Sequence, residues 1–459
     1  MFYLYRPFSL FGEGEDEDAF LWGGDEGWAS AHWWYTLAHV CQRWRKVLLG
    51  SASYLELSLV CTNGTPVAVM LAHSPPLPLV IDYRPPDITT KDEDEIILAF
   101  KQRDRVYRVR LEQPATSLQT IIGAIEGEYP TLEYLYIMDQ DEDVSMTLIF
   151  PETFQAPQLR HIMLKGFVLP IESWLLTTAV GLATLSLYIG HPSSYFHPST
   201  LLQWLSFMPQ LETLVIFFSF PVHDHDEARQ LKHPQTIMPV TLPNLHRFTY
   251  QGVCTYLEVL LYSVTAPCLE RYEVIFFHQP TLFVPRLLQS MNPTATLKFD
   301  TARVNFSDDN VNVAFSLGDE KMFVIALIVE CCYLDWQVSS VAQIFKFPSE
   351  MFSALKHLNL DHWEHSLSTE EHNEVDRAEW RGLLSQFSNV KTLRIGDGLV
   401  EELSRCLQLE DGENPLELLP ELQELRYSGS GDIGGAFTSF ISARLTAGRP
   451  VNLVLDQVL

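Results

Sequence analysis

The sequence predicts an α/β protein in which a short helical region, residues 1–60, precedes a long array of stacked strand-plus-return units over residues 61–459. Three observations carry this expectation. From Val106 onward the six-residue pattern apolar-x-x-apolar-x-apolar recurs ten times. Its successive starts lie 26, 27, 23, 29, 34, 24, 86, 35 and 32 residues apart, mostly close to one period. Ahead of the array, Trp33 to Leu59 carries apolar residues at helical spacing and then at alternate positions.

In that N-terminal stretch Leu37, Val40, Cys41, Trp44, Val47 and Leu48 fall on one face of a single expected helix, with Gln42, Arg43, Arg45 and Lys46 around the other side. Gly50-Ser51 ends it, and Leu55, Leu57 and Leu59 then alternate with polar residues as a strand does. The run Leu37-x-x-Val40-Cys41-x-Arg43-Trp44-Arg45 resembles the second half of an F-box. F-box proteins are substrate-receptor subunits of cullin-type (SCF) ubiquitin ligases. The resemblance therefore implies that Leu37, Val40, Cys41, Trp44 and Leu48 dock on the F-box-binding adaptor. An F-box opens with a Leu-Pro-x-Glu helix, whereas this sequence begins Met1-Phe2-Tyr3-Leu4-Tyr5, so the first helix is expected to be incomplete. A free-standing interaction scaffold, with a degenerate F-box that only caps the first rung, is the alternative.

The repeated pattern reads VYRVRL from Val106, LEYLYI from Leu132, LRHIML from Leu159, LATLSL from Leu182 and LETLVI from Leu211. It continues as LHRFTY from Leu245, LERYEV from Leu269, LKHLNL from Leu355, VKTLRI from Val390 and LQELRY from Leu422. A strand of this length cannot bury its own apolar side, so such units stack, and the period suits a leucine-rich-repeat solenoid. The closing Asn or Cys of a typical unit is generally absent, and residues 191–200 and 220–242 read as inserted loops. The 86-residue gap holds TLKFD and FVIALIVECC, read as two degenerate rungs, the second fully buried. VNLVL after Gly448-Arg449-Pro450 reads as a final strand. A doubly wound α/β domain is the rival architecture. An F-box region followed by irregular leucine-rich repeats resembles a group of fungal F-box proteins. Residues 11–32 are Gly-rich and acidic and read as a loop inserted in the F-box region, whereas Asp92 to Glu95 open an apolar run and read as a helix start.

Composition excludes several function classes. A 459-residue chain that is 47% hydrophobic has material for a large core. Its net charge of −27 argues against a nucleic-acid or anionic-membrane binder, which needs clustered Lys and Arg. Seven unevenly spaced cysteines suit a reducing compartment, so a cytoplasmic or nuclear location is expected. No continuous apolar run forms a signal peptide, and the longest, Met322 to Val329, is far too short to span a bilayer.

Chemistry is not signalled either. His223-Asp224-His225-Asp226 with His233, and His362 with His365, lack a third metal ligand at fixed spacing. Ser428-Gly429-Ser430-Gly431 forms no nucleophile elbow, no phosphate loop occurs, and Cys331-Cys332 reads as packed apolar residues. No catalytic residue, metal or cofactor is expected, and the function is expected to be protein capture.

The variable positions of each L-x-x-L-x-L unit project toward the inner face of a solenoid. In the last rungs these positions include Lys356, His357, Lys391, Arg394 and Arg426, and an earlier rung adds His246 and Arg247. This basic bias in an acidic chain points to an acidic or phosphorylated protein substrate on the C-terminal face.

Overall fold

Each of the ten apolar-x-x-apolar-x-apolar stretches is a strand in the structure, a computed structural model. It describes residues 33–51, 55, 57–84, 88–141, 148–220, 239–277, 298–317, 324–346, 352–363, 377–409, 413–429, 433 and 435–456. The acidic loop expected at 11–32 and the His223 to His233 segment lie outside the described residues. The chain is mixed α/β and divides into two compact units, residues 1–196 with 207–211, and 197–206 with 212–459.

In unit 1, helices α1 (Trp33–Val40) and α2 (Gln42–Gly50) precede β1 (Leu59–Cys61), α3 (Val67–His73), β2 (Leu79–Tyr83), α4 (Thr90–Phe100) and β3 (Val106–Gln113). Next come α5 (Ala115–Gly123), β4 (Tyr134–Asp139), the short β5 (Leu148–Ile149), β6 (His161–Lys165), β7 (Phe167–Val168), α6 (Trp174–Thr178) and β8 (Thr184–Ile189). The main strands pair in parallel, in the order β1-β2-β3-β4-β6-β8. Their register follows from the motif, because a period of two sends alternate side chains to one face. Val109, Leu135, Ile162 and Leu185 form one cross-strand ladder, and Leu111, Ile137, Leu164 and Leu187 the next. All eight are buried, and each contributes about 1.5–3 kcal/mol.

The expected helix start at Asp92 is present as a capping box. Thr89 accepts from the Asp92 backbone N–H, and the Asp92 carboxylate accepts from the Thr89 backbone N–H. The same carboxylate accepts from Gly64 N–H, which ties α4 to the turn after β1.

Unit 2 contains α7 (Pro198–Leu205), β9 (Thr213–Phe218), β10 (Val240–Thr241), β11 (Arg247–Gly252), α8 (Cys254–Ser263), β12 (Val264–Thr265) and β13 (Arg271–Phe277). It continues with β14 (Thr301–Ser307), β15 (Asn310–Ser316), β16 (Ile325–Glu330), α9 (Leu334–Lys346), β17 (His357–Trp363), α10 (Arg377–Leu384) and β18 (Thr392–Gly396). The last elements are α11 (Val400–Leu407), β19 (Glu424–Ser428), α12 (Thr438–Thr446) and β20 (Asn452–Asp456), the final strand read from VNLVL.

Here the order is β9-β11-β13-β16-β15-β14-β17-β18-β19-β20. Among the described residues the 86-residue gap therefore holds three strands, not two rungs. β15 runs antiparallel to both neighbours, and β16, third in the chain, lies first beside β13. β16 is also not fully buried, since Ile325, Leu327 and Val329 alternate with partly exposed Ala326, Ile328 and Glu330. Buried Gln337 fastens this insert by donating to the carbonyls of Ser307 and Cys331. Cys331 is buried there, but Cys332 is exposed, so the two are not packed as a pair.

One backbone device recurs at the rung starts. The second residue of a motif accepts with its carbonyl from two successive N–H groups of the next rung. Glu133 O takes Arg160 and His161, Arg160 O takes Ala183 and Thr184, and Glu212 O takes His246 and Arg247. His246 O takes Glu270 and Arg271, Lys356 O takes Lys391 and Thr392, and Lys391 O takes Gln423 and Glu424. Each rung thus sets the starting point of its neighbour whatever the length of the return segment between them.

Candidate functional site

The F-box-like stretch folds as two helices, not one. Cys41 adopts an extended conformation, φ −164° and ψ 167°, and acts as N-cap of α2, its sulfur 3.5 Å from Trp44 N. Arg45 Nε donates to the Ala38 carbonyl at 3.1 Å and clamps the corner. The five residues assigned to adaptor docking separate as a result. Leu37 and Leu48 are buried with Trp34, Ala38, Leu57, Leu59, Leu77 and Leu79, and Trp44 packs against that cluster partly buried. Val40 is 58% exposed, Cys41 is exposed, and Val47 is 45% exposed, surrounded by exposed His39, Gln42, Arg43 and Lys46. The alternating strand expected at Leu55 to Leu59 starts only at Leu59, and Trp34 Nε1 donates to Ser58 O just before it.

On unit 2, Lys356, His357 and Lys391 are exposed at the rung starts, and Arg394 and Arg426 stand opposite each other on β18 and β19. The insert adds Arg303 to that row, through Asn359 on β17. His246 and Arg247 do not join them. Strands β13, β16, β15 and β14 lie between β11 and β17, so five strand spacings, about 24 Å, separate the two groups.

Arg426 and Arg394 each have a local partner. Arg426 Nε holds Glu424 Oε1 at 2.7 Å, and Arg394 Nη2 donates to Ser428 Oγ at 2.8 Å. Asp361 sits in the next row. Burial raises its carboxyl pKa, while Arg394 and Arg303 pull it down. A Cβ on Gly396 would come within 2.6 Å of Asp361 Oδ1, so the glycine makes room for that carboxylate.

The corresponding face of unit 1 was not singled out from the sequence. Its third motif positions are Arg108, Tyr134, His161 and Thr184, paired side by side across β3, β4, β6 and β8. Arg108 Cζ lies 4.0 Å from the Tyr134 ring centroid and 5.1 Å from that of Tyr107. Tyr134 stacks on His161 at 4.6 Å and 12°, and His161 Nδ1 is 3.1 Å from Thr184 Oγ1. Burial, then Arg108 and Arg160, lower the His161 pKa to about 4. The signal was present in the same variable positions read in the C-terminal rungs.

Among the described residues no three His, Cys, Asp or Glu side chains are grouped to hold a metal ion, and no helix is long and apolar enough to cross a membrane. No family model matches this sequence, and no curated protein matches it either.

Proposed function

We propose that the protein is a non-catalytic substrate-recognition subunit of a cullin-type ubiquitin ligase, with α1–α2 docking on the F-box-binding adaptor and leucine-rich-repeat sheet faces holding the target protein. The observation that carries this reading is the two-sided helix pair. Its inner residues, Leu37 and Leu48, fasten it to the first strands, while Val40 and Val47 stay exposed among basic residues. An adaptor that covers the outer side of the pair would take these two valines out of water.

In this reading the docking contribution of Leu37 and Leu48 is indirect, through holding the pair in place. The free-standing scaffold remains as a second reading, favoured by that same burial, because a helix pair that closes the end of a core needs no adaptor. Co-precipitation with purified adaptor separates the two. The double variant Val40→Asp, Val47→Asp should lose the adaptor and keep its melting temperature, whereas Leu48→Ala should lower the melting temperature first. If the unaltered chain does not retain adaptor at all, the scaffold reading takes its place.

A further inference from the structure

Within unit 1 the Arg108–Tyr134–His161 row has the makings of a ligand seat. Tyr134 lies between a guanidinium from β3 and an imidazole from β6, so both ring faces are occupied. The polar groups of the row are the Arg108 guanidinium, the Tyr134 hydroxyl and the His161 imidazole, whose Nδ1 is engaged by Thr184 Oγ1. All three side chains are half-buried.

The charges around the row are unequally spent. Arg84 holds Asp82 at 3.1 Å, Arg110 holds Glu112 at 2.6 Å, and the Glu133 carboxylate accepts from Tyr107 Oη at 3.2 Å. Arg108 hydrogen-bonds the Tyr107 hydroxyl but has no carboxylate within ion-pair distance among the described residues, and its buried Nε has no acceptor. Burial first, and then Arg108 and Arg160, keep His161 neutral down to about pH 4. A desolvated donor without an acceptor is costly, and a carboxylate matches the guanidinium fork with two parallel hydrogen bonds.

We propose that Arg108, flanked by Tyr134 and His161, binds a Glu or Asp side chain of an acidic peptide on the partner protein. The Arg108 guanidinium, with no acid partner among the described residues, matches a single carboxylate. A dianionic phosphoryl group would leave a second charge facing a chain whose net charge is −27. Tyr107 and Tyr134 supply apolar surface for residues beside the carboxylate. The inference rests on the reading of the sheet face as a capture surface and does not require the adaptor.

The test is fluorescence anisotropy of the full chain with short labelled peptides, degenerate except at a central Glu, Gln or phosphoserine. The Glu pool should bind about tenfold more tightly than the Gln pool, the size expected for a charge-assisted pair. Arg108→Gln should erase that difference, Arg108→Lys should not restore it, and Arg426→Ala should leave it intact. Tyr134→Phe removes only the edge hydroxyl and should weaken the Glu pool without affecting the fold. The His161 ring proton, followed by NMR, should titrate at higher pH when the Glu pool is bound. Equal binding of the Glu and Gln pools overturns the proposal, as does an Arg108→Gln protein that keeps the preference. Stronger binding of the phosphoserine pool overturns the choice of a carboxylate. Adaptor co-precipitation is scored separately, so loss of peptide binding with adaptor retained counts against this site alone.

Discussion

In unit 1 Arg108 lies against two tyrosine rings with no carboxylate in reach among the described residues, whereas in unit 2 Arg426 grips Glu424 at 2.7 Å and Arg394 is engaged by Ser428 beside Asp361. The two faces share a scaffold, with buried apolar ladders beneath and motif positions above. An aromatic flank stabilises a cation by its quadrupole and leaves the charge uncancelled, while an ion pair cancels it. A count of basic residues therefore does not show which of their charges is cancelled by an acid. The C-terminal face carries the arginines the sequence highlights, and the N-terminal face carries Arg108, which has no acid within ion-pair distance among the described residues.

The largest expected effect tests the shared scaffold. Leu164→Asp in unit 1 and Leu393→Asp in unit 2 each place a charge in a fully apolar ladder, and each should cost about 4 kcal/mol or more in urea unfolding. A difference between the two would mean that the ladders are not equivalent.

A second, smaller effect concerns Arg444, a third way of holding an arginine. It is buried on α12 and donates to the carbonyls of Pro415, Pro420 and Leu422, and desolvation lowers its pKa. Arg444→Ala removes donors from buried carbonyls and should cost about 2–3 kcal/mol by the same measurement.

The third prediction separates the faces by pH. The His161 pKa is lowered from 6.5 to about 4 in the folded chain, so the unfolded chain takes up the proton first as pH falls. The His161 contribution is complete above pH 6.5 and is lost progressively from there down to about 4. His161→Phe should flatten the melting-temperature profile across that window, and a profile parallel to that of the unaltered chain would remove the buried-neutral assignment. The smallest effect is that of the exposed pair on unit 2. Arg426→Ala should change stability by less than about 1 kcal/mol, with that change fading as salt rises.

The local pattern determined much of this molecule. Ten strands were legible because a period of two over six residues sorts side chains to core and surface before any neighbour is known. The start of α4 was legible because its cap is made within four residues of sequence. Other features depend on partners that periodicity does not encode. The break at Cys41 follows the core of β1 and β2, which takes Leu37 and Leu48 and leaves Val40 outside. The order β13-β16-β15-β14-β17 arises because hydrogen bonding lets a rung enter the sheet antiparallel or out of turn, and both choices bury the same apolar alternation. That insertion moves His246 and Arg247 away from Lys356 and brings Arg303 beside Asn359. The Arg108 row joins side chains from rungs 26 and 27 residues apart in sequence. Whether its charge is cancelled depended on which acids the folded sheet set beside it, since electrostatic pairing acts through space and not along the chain.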